Sequence, residues 1–492
     1  MLNLIREHRW FFLGTALAAL MLRLFFLIYF PTVTDDSRGY ADLATNWLRY
    51  GIYGQMQLTQ IVPSDARLPG YPAFLAGIFW LFGSGNLRAV LLAQMLLDLV
   101  TCLVVADLAR RVVSERAARI AFFLTALCPF LANYAAAMLT ETLEVFFTAL
   151  ALDCAAAALN RMQESKAGAW RLWAATGTAI SACILLRPDG GILLAALVFY
   201  LAAAAPGGAS GFEADAGSPQ RYSDTKPEAR RLSRSAQGNS FRSAMAAGMI
   251  LALFALAPLA PWTIRNFLTL HHLQPLAPRY ANETDELVLR GFNRWVRTWM
   301  ADYVSVEEIY WNVPGDKIDP ERLPSRALDS AAERDATLAV LADYNQSRKM
   351  TPELDARLGG IAADRIRAHP VRYYIVLPLL RIADMWLRPR TEILPPDPRW
   401  WEFNDDPKQL VIAVGFGLLN LAYLTAALCA LVRRRSGIRW AGLLISFVLL
   451  RSAFLGTLEN PEPRYTLECY PVVIVLASAF LAEKYGWRKR AA

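Results

Sequence analysis

The chain has 492 residues, 55% of them hydrophobic and 19% charged, with mean hydropathy +0.27, a balance that excludes an ordinary soluble enzyme and points to a polytopic membrane protein. The net charge of +8 does not indicate nucleic-acid binding, because the basic residues stand in short clusters between apolar runs, as orienting charges do. The cysteines lie inside or beside apolar runs without a CxxC pair and read as small buried hydrophobes.

After Arg6 and Arg9, residues 11–30 form an apolar run with one charge, Arg23. Its length and the lack of a small-residue cleavage site predict a first spanning helix, not a signal peptide. The chain leaves that run through "PTVTDDSRGYADLATNWLRYGIYG", residues 31–54, which sets Asp35, Asp36 and Asp42 directly after the exit. Further runs of spanning length, or nearly so, follow at 89–109, 118–139, 143–159, 172–186, 191–205, 243–262, 409–432, 438–456 and 466–482. Two shorter stretches, 71–82 and 373–387, suit interfacial, re-entrant or tilted helices, so the expected count is ten to twelve.

With ten crossings, the clusters Arg110/Arg111/Arg116/Arg119, Arg161/Lys166/Arg171, Arg433 to Arg435 and the basic C-terminal tail all fall on the cytoplasmic side. The Gly-, Ser-, Pro- and charge-rich insert 206–242 also falls inside and reads as a disordered linker. The expected fold class is thus all-α: a transmembrane helical bundle with juxtamembrane helices and a small outer-face helical domain. Its organisation is an N-terminal catalytic module over 1–262, whose first outer loop is 31–70, then an outer domain at 263–370 and a C-terminal transmembrane module at 371–492. Within the outer domain, Trp295 and Trp299 with Arg294 and Arg297 suggest a helix lying on the membrane or roofing a lipid site.

Arg67, Arg187, Arg265, Arg388, Arg390 and Arg464 stand at the expected outer boundary, where orientation rules give them no role and an anionic partner is implied. A guanidinium fork binds phosphate bidentately and stays charged at a partly dehydrated interface, which suits a lipid phosphate. Carboxylates suit the complementary task of deprotonating an acceptor hydroxyl. Plainer readings exist: Asp35 and Asp36 as acids in a helix first turn, Arg67 as a snorkelling side chain, Arg265 as part of an aromatic and basic belt. Asp98, in mid-run beside Gln94 and Thr101, is the residue that would favour a lipid or solute transporter, but a single packed, hydrogen-bonded acid in a bundle is commonly structural, and that is the expected role. Adjacent His271 and His272 lack a third histidine at a familiar spacing, so no metal site is assigned and metal dependence stays open. Sequons stand at Asn282 and Asn345.

In order along the chain, "DSRGYADLA", "RLPGYPAFLAGIFWLFG", "TETLEVFF", "LLRPDG", "PWTIRN" and "PRYTLECYP" resemble the GT-C superfamily of integral-membrane glycosyltransferases. The likeness is to its protein-O-mannosyltransferase-like and aminoarabinose-transferase-like branch (glycosyltransferase family 39-like). The resemblance implies a polyprenyl-phosphate sugar donor, an inverting displacement onto an acceptor hydroxyl on the extracytoplasmic face, and a catalytic Asp in a D-x-x-x-Y pattern. That Asp is Asp36, four residues before Tyr40, with Asp35 as its one-residue alternative. Arg67 takes the place of the residue meeting the donor phosphate; Tyr71, Glu141, Arg265, Arg388, Arg390, Arg464 and Tyr465 are further candidate substrate-binding residues. The implied acceptor is a glycolipid, a glycan or a protein, and no cofactor is implied. The Ala- and Arg-rich composition suggests a bacterial inner membrane. The chain departs from the family pattern at Leu467 to Pro471, where many members read Leu-Pro before the last Tyr-Pro element.

Overall fold

The computed structural model describes residues 1–204, 227–283, 286–402, 407–434 and 437–487. It is an all-α polytopic membrane protein: among the described residues, seven helices are long and apolar enough to cross a bilayer, and Gly70–Phe82, Pro188–Ala203 and Ala441–Gly456 are shorter apolar helices. A two-stranded antiparallel hairpin, Gly54–Gln57 with Gln60–Pro63, interrupts the helical pattern. Residues 206–226 of the expected linker lie outside the described residues; over its remainder, 227–242, the backbone is helical, in the helix Pro227–Leu256, which corrects the expectation of a disordered linker there.

The chain divides into two compact units. One comprises Met1–Pro278, Tyr423–Val448 and Glu468–Ala492, the other Arg279–Ala422 and Leu449–Leu467. In the first, the Glu141–Gln163 helix is mostly buried, whereas Arg9–Tyr29 is largely exposed. Its alanines explain this: Ala149, Ala151 and the run Ala155 to Ala158 are buried, and small side chains let neighbouring backbones approach where no hydrophobic drive operates between helices.

The run expected to span at 118–139 is broken. The helix Glu115–Ala126 ends, Cys128 is extended, and Pro129 starts the short helix Pro129–Tyr134, because proline lacks the N–H that would continue the ladder. A broken helix leaves its last carbonyls without helical partners; Arg23 donates to Ala126 O and, at 3.1 Å, to Thr125 O, which also accepts from the Cys128 N–H at 3.3 Å. The same guanidinium pairs with Asp98 at 2.8 Å, both side chains being essentially inaccessible. Asp98, the residue that would favour a transporter, is thereby engaged inside the bundle.

Gly70 begins the helix Gly70–Phe82 beside the backbone of Leu185, and a Cβ there would lie 2.5 Å from Leu185 O. We expect Gly70→Ala to destabilise the chain by about 1–3 kcal/mol and to weaken any activity that depends on the adjacent Tyr71, checked by thermal unfolding in detergent.

The second unit has its own core, built around Phe292, Trp295, Trp299, Tyr303, Leu341 and Tyr344. Trp295 and Trp299 are fully buried there, which corrects the expectation of a membrane-lying face: the aromatic side chains have helix Pro352–Ala368 to pack on instead. Asp355 from that helix accepts hydrogen bonds from the N–H groups of Gly291 and Phe292, each at 2.8 Å, and so caps the helix Arg290–Arg297. Asn345, one of the two sequon positions, exchanges side-chain hydrogen bonds of 2.9 and 2.7 Å with the Ile318 backbone.

Candidate functional site

The three acids after the first span are sorted by one helix. Thr34 caps the helix Asp35–Tyr50 in a capping box with Ser37, placing Asp35 and Asp36 in the first turn, where the helix dipole favours them. Asp35 turns outward; its side chain is 96% exposed and pairs with Arg38 three residues on. Asp42 accepts from Asn46 Nδ2 at 3.1 Å and from the N–H of Met56 at 2.9 Å, tying the hairpin to the helix. Asp36 lies one helical turn from Tyr40 and pairs with Arg67 Nη2 at 2.9 Å, both side chains about one-third exposed.

Arg67 stands on a firmly held loop. Tyr53 Oη donates to the carbonyls of Arg67 and Leu68 at 2.9 and 3.1 Å. Arg265 donates to Ser64 O at 2.8 Å and to Tyr53 O, and its guanidinium lies over the rings of Tyr53 and Trp262. His272 Nε2 lies 2.7 Å from Asp65 Oδ2, fixing the residue two before Arg67. Arg265 is thus a clamp on the first loop, and the histidine that offered no metal motif serves the same loop.

The Arg67 guanidinium lies 6.0 Å from the Tyr40 ring centroid, and Tyr40 meets Tyr71 edge-on at 5.1 Å. Burial pushes the Tyr40 phenol up to about 12, with Arg67 pulling the other way, so the ring is a neutral wall at physiological pH. Tyr71 Oη donates to Gln94 Oε1 at 2.6 Å, and Gln94 passes the chain on to Ala137 O at 2.7 Å.

Glu141 and Glu144 sit one turn apart on the Glu141–Gln163 helix, and with Asp189 they surround Arg187: Asp189 Oδ1 at 3.3 Å, Glu144 Oε1 at 3.7 Å and Glu141 Oε1 at 3.9 Å. Arg187 and Glu141 act electrostatically on Tyr40, as do Asp36 and Arg67. Asp36, Tyr40, Arg67, Tyr71 and Glu141 therefore belong to one constellation. Arg187, Glu144, Asp65 and His272 complete it; the sequence singled out Arg187 only as one of the boundary arginines and did not select the other three as site residues. The signal for the first two was the Glu-x-x-Glu spacing opposite an "RPDG" turn; nothing in the sequence linked His272 to Asp65, which lie 207 residues apart.

The remaining sequence-selected residues belong to the second unit. Arg388 is buried beside Asp384 at 3.6 Å, donates to Pro398 O and lies over the Tyr303 ring at 5.5 Å. Arg390 donates to Pro463 O at 2.9 Å and to Thr466 Oγ1. Arg464 pairs with Glu462 at 2.6 Å, and Tyr465 Oη donates to the same carboxylate at 2.7 Å. The boundary arginines thus meet carboxylates or carbonyls of the chain itself. Near them, burial raises the Glu392 carboxyl to about 6 against the pull of Arg390. Among the described residues, no group of three or more His, Cys, Asp or Glu side chains is placed to hold a metal ion.

Fold and site together define a multi-pass integral membrane protein with an acid–arginine pair on the loop after its first span. Residues 64–210, from the base of that loop through the buried Glu141 helix, match the family of dolichyl-phosphate-mannose-protein mannosyltransferases. No curated protein sequence matches the chain. Among solved structures, it is similar to the oligosaccharyltransferase AglB of Archaeoglobus fulgidus in complex with an inhibitory peptide and a dolichol-phosphate. The identity there is 14% over 99% of this chain and 52% of that one, with a TM-score of 0.48. It is also similar to ArnT of Cupriavidus metallidurans bound to undecaprenyl phosphate, at 16% identity over 96% of this chain and 77% of that one, with a TM-score of 0.31. The chain spans about half the length of the archaeal oligosaccharyltransferase.

Proposed function

We propose that this chain is a glycosyltransferase of the extracytoplasmic membrane face, moving a sugar from a polyprenyl-phosphate donor to an acceptor hydroxyl by inverting displacement. The observation that carries the reading is the Asp36–Arg67 pair, 2.9 Å apart and partly open to solvent against the Tyr40 ring. A carboxylate paired with a guanidinium is a weak base, and a donor phosphate changes that. Its anionic oxygens compete for the Arg67 fork, and the carboxylate they displace becomes free to take a proton.

Asp36 then accepts the acceptor's hydroxyl proton as that oxygen bonds to the sugar's anomeric carbon. The bond from that carbon to the phosphate oxygen breaks, and polyprenyl phosphate leaves with the electron pair, stabilised by Arg67. Asp35 is the neighbouring alternative for the base, but its full exposure and pairing with Arg38 favour Asp36. Arg265 supports Arg67 through the loop backbone. The rival reading, a lipid or solute transporter, finds no help in Asp98, whose carboxylate is held by Arg23. The composition fits a bacterial inner membrane.

The test is release of undecaprenyl phosphate by the purified chain in proteoliposomes, with a panel of undecaprenyl-phosphate sugars and a membrane extract to supply the acceptor. Turnover with at least one donor is the expected result. Lipid movement across the bilayer without turnover from any donor would replace the reading with the transporter.

A further inference from the structure

We propose that the second unit carries a carbohydrate subsite, a cavity of about 310 Å³ that takes one uncharged sugar ring by its hydroxyls. Tyr303, Glu307, Arg388, Thr391, Glu392 and Asp397 supply its polar wall, and four of the five other lining residues are prolines. The volume lies at the low end of small-ligand sites, roughly 300–1,000 Å³, which fits a single ring. Proline fixes the backbone in advance, so little ordering entropy is lost on binding.

Glu392 indicates the ligand's chemistry. No other residue donates a hydrogen bond to either of its carboxylate oxygens, although both are shielded from solvent, and its own backbone N–H is the one donor in reach; burying such a group with so few partners is costly. Two vicinal hydroxyls of a sugar would supply the missing donors. The neighbouring groups exclude other classes. Three carboxylates on the wall repel a phosphate or a carboxylate ligand. The charges of Arg390, Arg388 and Arg464, all acting on Glu392, oppose a cation. Glu307 is occupied by the Tyr303 hydroxyl, which donates to it, so Glu392 is the principal acceptor. The sugar's role as donor or acceptor moiety rests on the glycosyltransferase reading; its binding does not.

Saturation-transfer NMR with methyl glycosides of mannose, glucose, galactose and arabinose on the full detergent-solubilised chain is the test. We expect signals from at least one neutral glycoside, weakened about tenfold or more in affinity by Glu392→Gln, whose amide replaces one acceptor oxygen, and also reduced by Glu307→Gln. Folding of Glu392→Gln is checked in the same preparation. Because the charged form is disfavoured in the folded state, the variant should melt higher than wild type at pH 8, and that gain should vanish as pH falls through about 6 towards the unfolded value of about 4.3.

Affinities unchanged in both variants, silence from every neutral glycoside, or binding confined to a glucosamine probe would each overturn the proposal. Displacement of the glycoside by undecaprenyl-phosphate mannose assigns the cavity to the donor's sugar, and persistence assigns it to the acceptor's. Glycoside binding without turnover from any donor would sink the enzyme reading while leaving the subsite standing.

Discussion

Asp36→Asn should lower sugar transfer by about 10³-fold, within the 10²–10⁴ range that a positioned general base contributes, while leaving the protein folded. The amide keeps the shape of the carboxylate but cannot take the acceptor's proton. The fold survives because a pair about one-third exposed on each side contributes less than about 1 kcal/mol to stability. Asp35→Asn is the internal control. Its side chain is almost wholly exposed, so activity should stay within about twofold, the scale of an ordinary surface substitution. Undecaprenyl phosphate release and a melting curve, measured for both variants, decide the matter. If Asp35→Asn abolishes turnover and Asp36→Asn does not, the base lies one residue earlier.

Arg23→Met should be among the most destabilising single changes in the first unit, costing about 3–5 kcal/mol, because it leaves Asp98 as an uncompensated buried charge, strips the Ala126 carbonyl of its Arg23 donor and leaves the Thr125 carbonyl with only the Cys128 N–H. The double variant Arg23→Met with Asp98→Leu should recover most of that loss, since removing both members of a buried pair restores apolar packing. Unfolding in detergent with increasing denaturant measures both. A double variant no more stable than the single one would mean that the carbonyl caps, not the ion pair, hold the broken helix end. Retained turnover in a folded double variant would separate this pair from the chemistry.

The sequence revealed the class of the molecule because the bilayer's demand is one-dimensional. Length and apolarity of a run decide whether a helix can cross, and they identified Arg9–Tyr29, Leu87–Val112 and Glu141–Gln163 without any tertiary information. They failed at 118–139, where hydropathy continues through Pro129 although the backbone ladder does not. They failed again at Trp295 and Trp299, since an amphipathic pattern is the same whether its apolar face meets lipid or a protein core.

The acids and arginines were legible as types but not as pairs. Asp35 and Asp36 are equivalent in sequence; a capped helix turns one outward to Arg38 and the other towards Tyr40 and Arg67. Arg265 read as an interfacial charge and is a clamp on carbonyls of the loop that carries Arg67. Asp98 read as a structural acid held inside the bundle, and its partner, Arg23, stands 75 positions away. Composition, run length and residue type depend on the chain alone, and they determined that this is a helical membrane protein with an acid-rich first loop. Which acid meets which arginine depends on helix rotation and on contacts between residues far apart in the chain. Only the tertiary structure decided that.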